Sequence, residues 1–423
     1  MNKHALQAHL FDELHNRPFP LLNSPVSLSH FIMLDPGDLS DELAHIAVLA
    51  RQHSVAPPEQ GASCYYQNMG EFEFRWERHT EFSSYMVLLS RTGEDPFTET
   101  ASMILSSSWL EGLGGAMIGG EHIELRSSPG RSVKTRTLHP YFEGHRLIGS
   151  RVLDNKAAMW TSLKNYSDDF SRVLIYTETE DLCECGRLIR SLIELSAYRN
   201  LTLIALPIAR NLIPVVSNLE LRLAELTERL TDIGNFQGEK KLLEELSTFA
   251  AELETLVSEN NFRFAATEAY YQLTEDRLEE LGESPTGTLR TFKEFHHRRF
   301  RPGFSTFQSV RSRMNDLSIR VNRSSGLLRT RVDLMLESQN QNLLRSMDQR
   351  AKMQIRMQQT VEGLSIIAMT HYSLSLIGYL LKGVPAAFLP VSSDTLLAGA
   401  TPVIFIGAWL SIRRIRKRFL PAE

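Results

Sequence analysis

Apolar residues change their spacing along this chain, and the change divides it. Over residues 1–206 they come in short runs with the alternation or continuity of strands: 26–34, 71–78 with Phe72, Phe74 and Trp76 on alternate positions, 81–89, 122–126, 145–153 and 170–177. Within the same region "DLCECGRLIRSLIELSA", 181–197, steps as a helix, with Leu182, Leu188, Leu192 and Leu195 apolar and Asp181 placed to cap it. A strand before that helix and the apolar "LTLIAL" after it predict a β-α-β unit, so the region reads as a mixed α/β domain bounded near Pro207 and Pro214.

Residues 207–303 read as a helical coiled-coil region. Val216, Leu219, Leu223, Leu226, Leu230 and Ile233 step by alternating threes and fours, the a/d seam of a coiled coil. A second seam, Leu242, Leu246, Phe249, Leu253 and Leu256, follows a break expected at Gly234 and Gly238. The third run, Phe307, Val310, Met314, Leu317 and Val321, continues through Leu328 and Met335. No proline occurs between Phe304 and Gly383, so 304–363 is expected to run unbroken into the next apolar stretch as one helix of ~80 residues and ~120 Å. Towards its end the seam turns polar at Gln339, Asn342 and Ser346, which are expected to face water or a polar axis between subunits. The seam of the long helix, at Leu317, either joins copies of the chain or packs within one subunit.

Two stretches near the C-terminus then lose their charge. Residues 364–381 carry none if His371 is neutral, and 396–412 carry none at all; each is near the lower limit of roughly 17 residues for a membrane span. The segment between them, 382–395, holds Pro385 and Pro390, which break both helices. Arg345, Arg350, Lys352 and Arg356 precede the first stretch; Arg413, Arg414, Arg416, Lys417 and Arg418 follow the second, in a basic tail over 413–423. The loop has only Lys382. Lysine and arginine are retained on the cytoplasmic side, so the pattern predicts a transmembrane hairpin with both ends in the cytoplasm and the lipid bilayer as partner. His371, Ser375, Gly378 and Lys382 follow steps of four, three and four and share one helical face, expected to turn from lipid towards a partner or a water-filled axis.

Composition narrows the chemistry. A net charge of −4 with no basic patch interleaved with aromatics gives no pull towards nucleic acid, which is not expected as a partner. Three cysteines, Cys64, Cys183 and Cys185, are too few for a disulfide framework and fit a reducing compartment. The first residues lack the apolar core of a signal peptide. "EGLGGAMIGGEH" lacks the Gly-Lys-Ser/Thr ending of a phosphate loop and reads as turns around a short strand. Cys183 and Cys185, two apart on a helix, point to different faces and read as structural thiols. "FHHRRFR", with His296, His297, Arg298, Arg299 and Arg301, could attract an anion but reads as a solvated connection between helices. "DELHNRPFP", 12–20, could serve catalysis but reads as an extended N-terminal segment shaped by Pro18 and Pro20. No nucleophile, base and orienting group can be assembled, so no enzymatic activity, cofactor or metal is expected.

"LHNRPFP" near the start, "LIELSAYRNLTL" at 192–203, the length and the two C-terminal spans together resemble the bacterial family called domain of unknown function 3422, across essentially the whole chain. That likeness implies the bacterial inner membrane as location and no activity. The order of parts is also similar to the CorA magnesium channel superfamily, which implies a pentamer whose first span lines a pore and carries Gly-Met-Asn at its outer end. Here Tyr379 is followed by Leu380, Leu381, Lys382 and Gly383, and a ring of lysines at that place would repel a divalent cation. The expected architecture is an α+β cytoplasmic domain, long coiled-coil helices and a two-helix transmembrane hairpin, assembled as a homo-oligomer. Two functions stay open: a membrane-tethered scaffold or sensor, and a diverged CorA-like channel or transporter for an ion or small solute.

Overall fold

The computed structural model describes residues 20–129, 133–383 and 391–419, with His4 and Gln7 ahead of them. Apart from Pro20, the "DELHNRPFP" element lies outside the described residues, as do Pro385 and Pro390. The chain divides into two units, one holding the sheet and helices up to Ser325, the other Ile233–Leu243 and Gly326 onward.

In the first unit the strands are β1 (Val26–Leu34), β2 (Cys64–Asn68), β3 (Glu73–Arg78), β4 (Phe82–Leu89), β5 (Ala116–Ser127), β6 (Ile148–Val152), β7 (Ala157–Thr161), β8 (Ser171–Thr177) and β9 (Ser284–Pro285). They form one sheet in the order β2-β3-β4-β1-β5-β8-β7-β6-β9, antiparallel except for the β5–β8 pair. Alternation along the central strands sends side chains into two cores. Val26 and Leu28, with Ile123, Leu125, Val173 and Ile175, pack under helix α4 (Leu182–Leu203). Phe31 and Met33, with Phe74, Trp76 and Tyr85, pack against helix α1 (Leu39–Gln52) and Trp109 of the short helix α2 (Ser107–Glu111). A one-turn helix α3 (Thr135–Leu138) covers part of the far half.

Six strands lie where the sequence pattern places them. The five-residue strands β2, "CYYQN", and β7, "AAMWT", hold Tyr65, Tyr66 and Trp160 but are too short to show a clear alternation, so the sequence pattern did not place them. The glycine run is not confined to turns, because Gly119 and Gly120 lie inside β5. A side chain on Gly119 would stand 2.1 Å from Asn200 Nδ2, so its hydrogen lets α4 approach the strand. The expected β-α-β unit is absent: "LTLIAL" ends α4 and begins helix α5 (Ala205–Asp232). Its leucines extend a buried helical face, with Leu201 and Ala205 fully buried. Asp181 caps α4, its carboxylate accepting from the Cys183 and Glu184 amides at 2.8 and 3.1 Å. Cys183 is exposed and Cys185 buried, on different faces of the helix.

Pro207 and Pro214 both fall inside α5; Pro207 sits in its first turn, where a missing N–H breaks no intrahelical bond. Helices α6 (Phe236–Glu280), α7 (Phe292–Arg299) and α8 (Arg301–Lys382) follow. The last is unbroken over 82 residues. The heptad seams are buried, but within one chain. Val216, Leu219 and Leu223 of α5, Leu246, Phe249 and Leu253 of α6, and Phe307, Val310, Met314, Leu317 and Val321 of α8 are all at most 2% exposed. Arg222 pairs with Glu252 at 2.9 Å, Arg313 with Glu220 at 2.7 Å and Arg311 with Glu268, tying the three helices in pairs. Leu317 therefore packs inside a bundle made by its own chain. Seam periodicity specifies that two helices meet, not which chains they belong to.

In the second unit Arg331 of α8 reaches Glu239 at 2.5 Å and Ile233 O at 3.0 Å. Helix α9 (Ser393–Phe419) continues past the apolar stretch, so the first basic residues of the tail are helical. Among the described residues, three helical stretches are long and apolar enough to cross a membrane: Leu182–Asp232, Phe292–Lys382 and Ser393–Arg414. The first was not expected from the sequence; a third of its apolar window is buried within the protein, against 6% and 0% for the other two.

Candidate functional site

The residues singled out on the helices separate into two faces. Gln339, Asn342 and Ser346 are exposed, as are Arg345, Arg350, Lys352 and Arg356, and Lys352 pairs with Asp348 one turn earlier at 2.7 Å. Along the end of α8, Ile366, Thr370, Ser373, Ile377 and Leu381 are among the less exposed residues, and on α9 Leu397, Ala400, Ile404 and Ala408 are. A side chain on Gly378 would meet Leu397 at 3.5 Å, which marks this as the face between the two helices. His371 and Lys382 are exposed, while Ser375 and Gly378 are half-buried. The polar face is thus split, its glycine turned towards α9 and its two basic residues outward, about 100° round the helix from the seam. Arg413 and Arg414 are exposed, with Arg413 over the Trp409 ring at 5.0 Å. The side chains of Arg416, Lys417 and Arg418 lie outside the described residues.

The sheet holds a polar row that the sequence reading missed. The core under α4 turns polar where the second half of the helix passes over the strands. His30 and Glu121 are direct partners in the β1–β5 ladder, and Glu121 and Ser171 in the β5–β8 ladder. His30 Nε2 lies 2.9 Å from Ser84 Oγ, and Ser171 Oγ donates towards Glu121 Oε1 at 3.2 Å. Arg199, from α4, has its Nη1 buried without a hydrogen-bond partner among the described residues. So do both ring nitrogens of His296, which is 1% exposed and stacked on Phe300 at 4.7 Å. The expected solvated connection "FHHRRFR" is therefore half wrong: Arg298 and Arg299 are exposed, but His296 is core, on a helix fixed by the Thr291–Glu294 capping box.

Burial sets the charges in this row. It pushes the His30 and His296 rings down to about 3, helped by the charge of His79 in the first case and of Arg199 in the second. It raises the Glu121 carboxyl to about 7 against the pull of Arg199. Beside the row, His30, Ser84, Met86, Glu77, Arg190 and Tyr198 line a cavity of about 90 Å³. Water occupies roughly 30 Å³ and ligand pockets begin at about 300 Å³, so the cavity suits a few waters and is too small for a cofactor. The signal for the row was present in the strands: His30 stands between Leu28 and Ile32, and Glu121 precedes Ile123 and Leu125, polar residues on apolar faces.

On the opposite sheet face, Ser29, His122 and Asp168 form a line with the composition of a hydrolytic triad. Ser29 Oγ is 2.8 Å from His122 Nδ1, and His122 Nε2 is 3.3 Å from Asp168 Oδ2. The ionised carboxylate can only accept, so Nε2 carries the hydrogen and Nδ1 accepts from Ser29. The order is wrong for catalysis. Ser29 is 0% exposed and its oxygen already accepts the Ser102 amide at 2.8 Å, whereas the Asp168 side chain is 40% exposed. The nucleophile is sealed and the orienting acid open, so the line ties β1, β5 and the loops at Ser102 and Asp168 together. His122, stacked on Phe170 at 4.2 Å, is held below its ordinary pKa by burial.

No curated protein and no solved structure matches the chain. One family model, described as a protein of unknown function (DUF3422), matches residues 2–419, and the chain belongs to that family.

Proposed function

We propose that this protein is a membrane-tethered oligomeric scaffold or sensor of the bacterial inner membrane, anchored by 364–381 and 396–412 with both ends in the cytoplasm. One observation carries the reading: the two C-terminal apolar windows, of mean hydropathy 1.5 and 1.8, are 6% and 0% buried within the chain. A helical hairpin belonging to a soluble core would be covered by its own protein, and a span is left for lipid. The third apolar stretch, Leu182–Asp232, supplies the contrast, since α4 covers the sheet with Leu188, Leu192 and Leu195 buried. Exposed Arg345, Arg350, Arg356, Arg413 and Arg414 flank the windows and support the cytoplasmic placement of both ends.

Membrane fractionation tests it. Full-length protein is expected in the pellet after alkaline carbonate washing, and protein truncated after Gln359 in the supernatant. Reporters before Met1 and after Glu423 should both read cytoplasm; a periplasmic signal from either end overturns the hairpin. The second reading, a diverged CorA-like channel, rests on the outward face of α8 that exposes His371 and Lys382.

A further inference from the structure

Within the second unit, Ile233–Leu243 accompanies α8 for a few turns: Leu242 and Leu328 are fully buried, and Val332 is buried. After Met335 this company ends, and every residue from 336 to 361 is exposed. Apolar residues keep a heptad rhythm there all the same. Leu336, Leu343, Met347, Met357 and Val361 take a and d positions, with Asn340, Arg350 and Gln354 between them, and the five are 42–70% exposed. The stripe runs one residue ahead of Gln339, Asn342 and Ser346, so it lies about 100° round the helix from that polar line.

Charge indicates what covers it. The positions flanking the stripe between Gln339 and Thr360 are neutral, Leu344, Ser346, Ala351 and Met353 among them. Arg345, Asp348, Lys352 and Arg356 sit on the outer b, c and f positions. A helix of opposite charge would find nothing to read along the edges of this seam, whereas an identical helix meets neutral edges with neutral edges. Arg350 alone is charged within the stripe, and its long side chain can run along the seam and end in solvent.

We infer that the stripe from Leu336 to Val361 is the surface on which a second copy of this chain docks, parallel to the first. The parallel orientation rests on the membrane tethering proposed above, which gives both copies one direction. Cysteine cross-linking in isolated membranes tests it, with two differently tagged full-length chains co-expressed in a Cys64→Ser, Cys183→Ser, Cys185→Ala background. Oxidation of Leu343→Cys or Met357→Cys should give an adduct at twice 48.1 kDa carrying both tags, and Arg345→Cys or Lys352→Cys about tenfold less. Equal yields from the outer positions, or an adduct carrying one tag and a foreign mass, overturn the proposal. Chains that pellet with the membrane but do not cross-link at Leu343 sink the seam alone; chains that cross-link but stay soluble sink the tethering and leave the seam.

Discussion

His30 and Glu121 stand opposite each other across β1 and β5, and burial drives both towards their neutral forms. Their effects on stability against pH have opposite signs. A histidine held at about 3 contributes stability present above its unfolded pKa of about 6.5 and lost as pH falls, about 2 kcal/mol for each of His30 and His296 by pH 5. Glu121 at about 7 contributes stability present below the unfolded carboxyl value and lost as pH rises, about 3 kcal/mol by pH 7. Two histidines outweigh one glutamate, so the melting temperature of the detergent-solubilised chain should fall from pH 6.5 to 5. Glu121→Gln should steepen that fall, and His296→Phe, which also removes two unpartnered nitrogens, should flatten it. Identical slopes in all three proteins would mean the row is solvated.

Leu317 is 1% exposed inside a bundle made by one chain. Leu317→Asp should therefore unfold the helical bundle, at several kcal/mol for a buried unpaired carboxylate. Exposed Arg320→Asp should cost less than about 1 kcal/mol. Circular dichroism melts read the difference. A Leu317→Asp chain that melts normally but runs smaller in size-exclusion chromatography would restore the joint between subunits.

Ser29 is buried, with His122 Nδ1 and the Ser102 amide as its partners. Ser29→Ala should cost about 1–3 kcal/mol, because it leaves His122 Nδ1 and the Ser102 amide without their partner. Wild-type protein should resist fluorophosphonate probes that label activated serines; labelling lost in Ser29→Ala would make the line a catalytic one.

The outward face of α8 separates scaffold from channel. Divalent-cation uptake into liposomes should be flat for wild type, Lys382→Asn and His371→Ala under the scaffold reading. Flux in the wild type, or its appearance in Lys382→Asn and its loss on adding His371→Ala, would make that face a pore lining.

Local chemistry wrote much of this molecule into its sequence. The cap at Asp181, the absence of proline from Phe304 to Lys382 and the alternation in β1 and β3 each act within a few residues, so they could be read without a fold. The same holds for the two uncharged windows, whose candidacy as spans depends on length and composition. Other features needed partners brought from far along the chain. Arg199 and His296 reach the row beginning at His30 only because α4 and α7 pack over one sheet face, and nothing within a window of residues announces such a meeting. The heptads of α5, α6 and α8 show the limit most plainly: spacing dictates an apolar seam, but whether that seam closes on its own chain is decided by the turn at Ile233–Asn235 and the ion pairs around Arg313. Beyond Met335 the sequence keeps the heptad and the structure supplies no partner from the described residues, because the helices that buried the earlier seam have turned back.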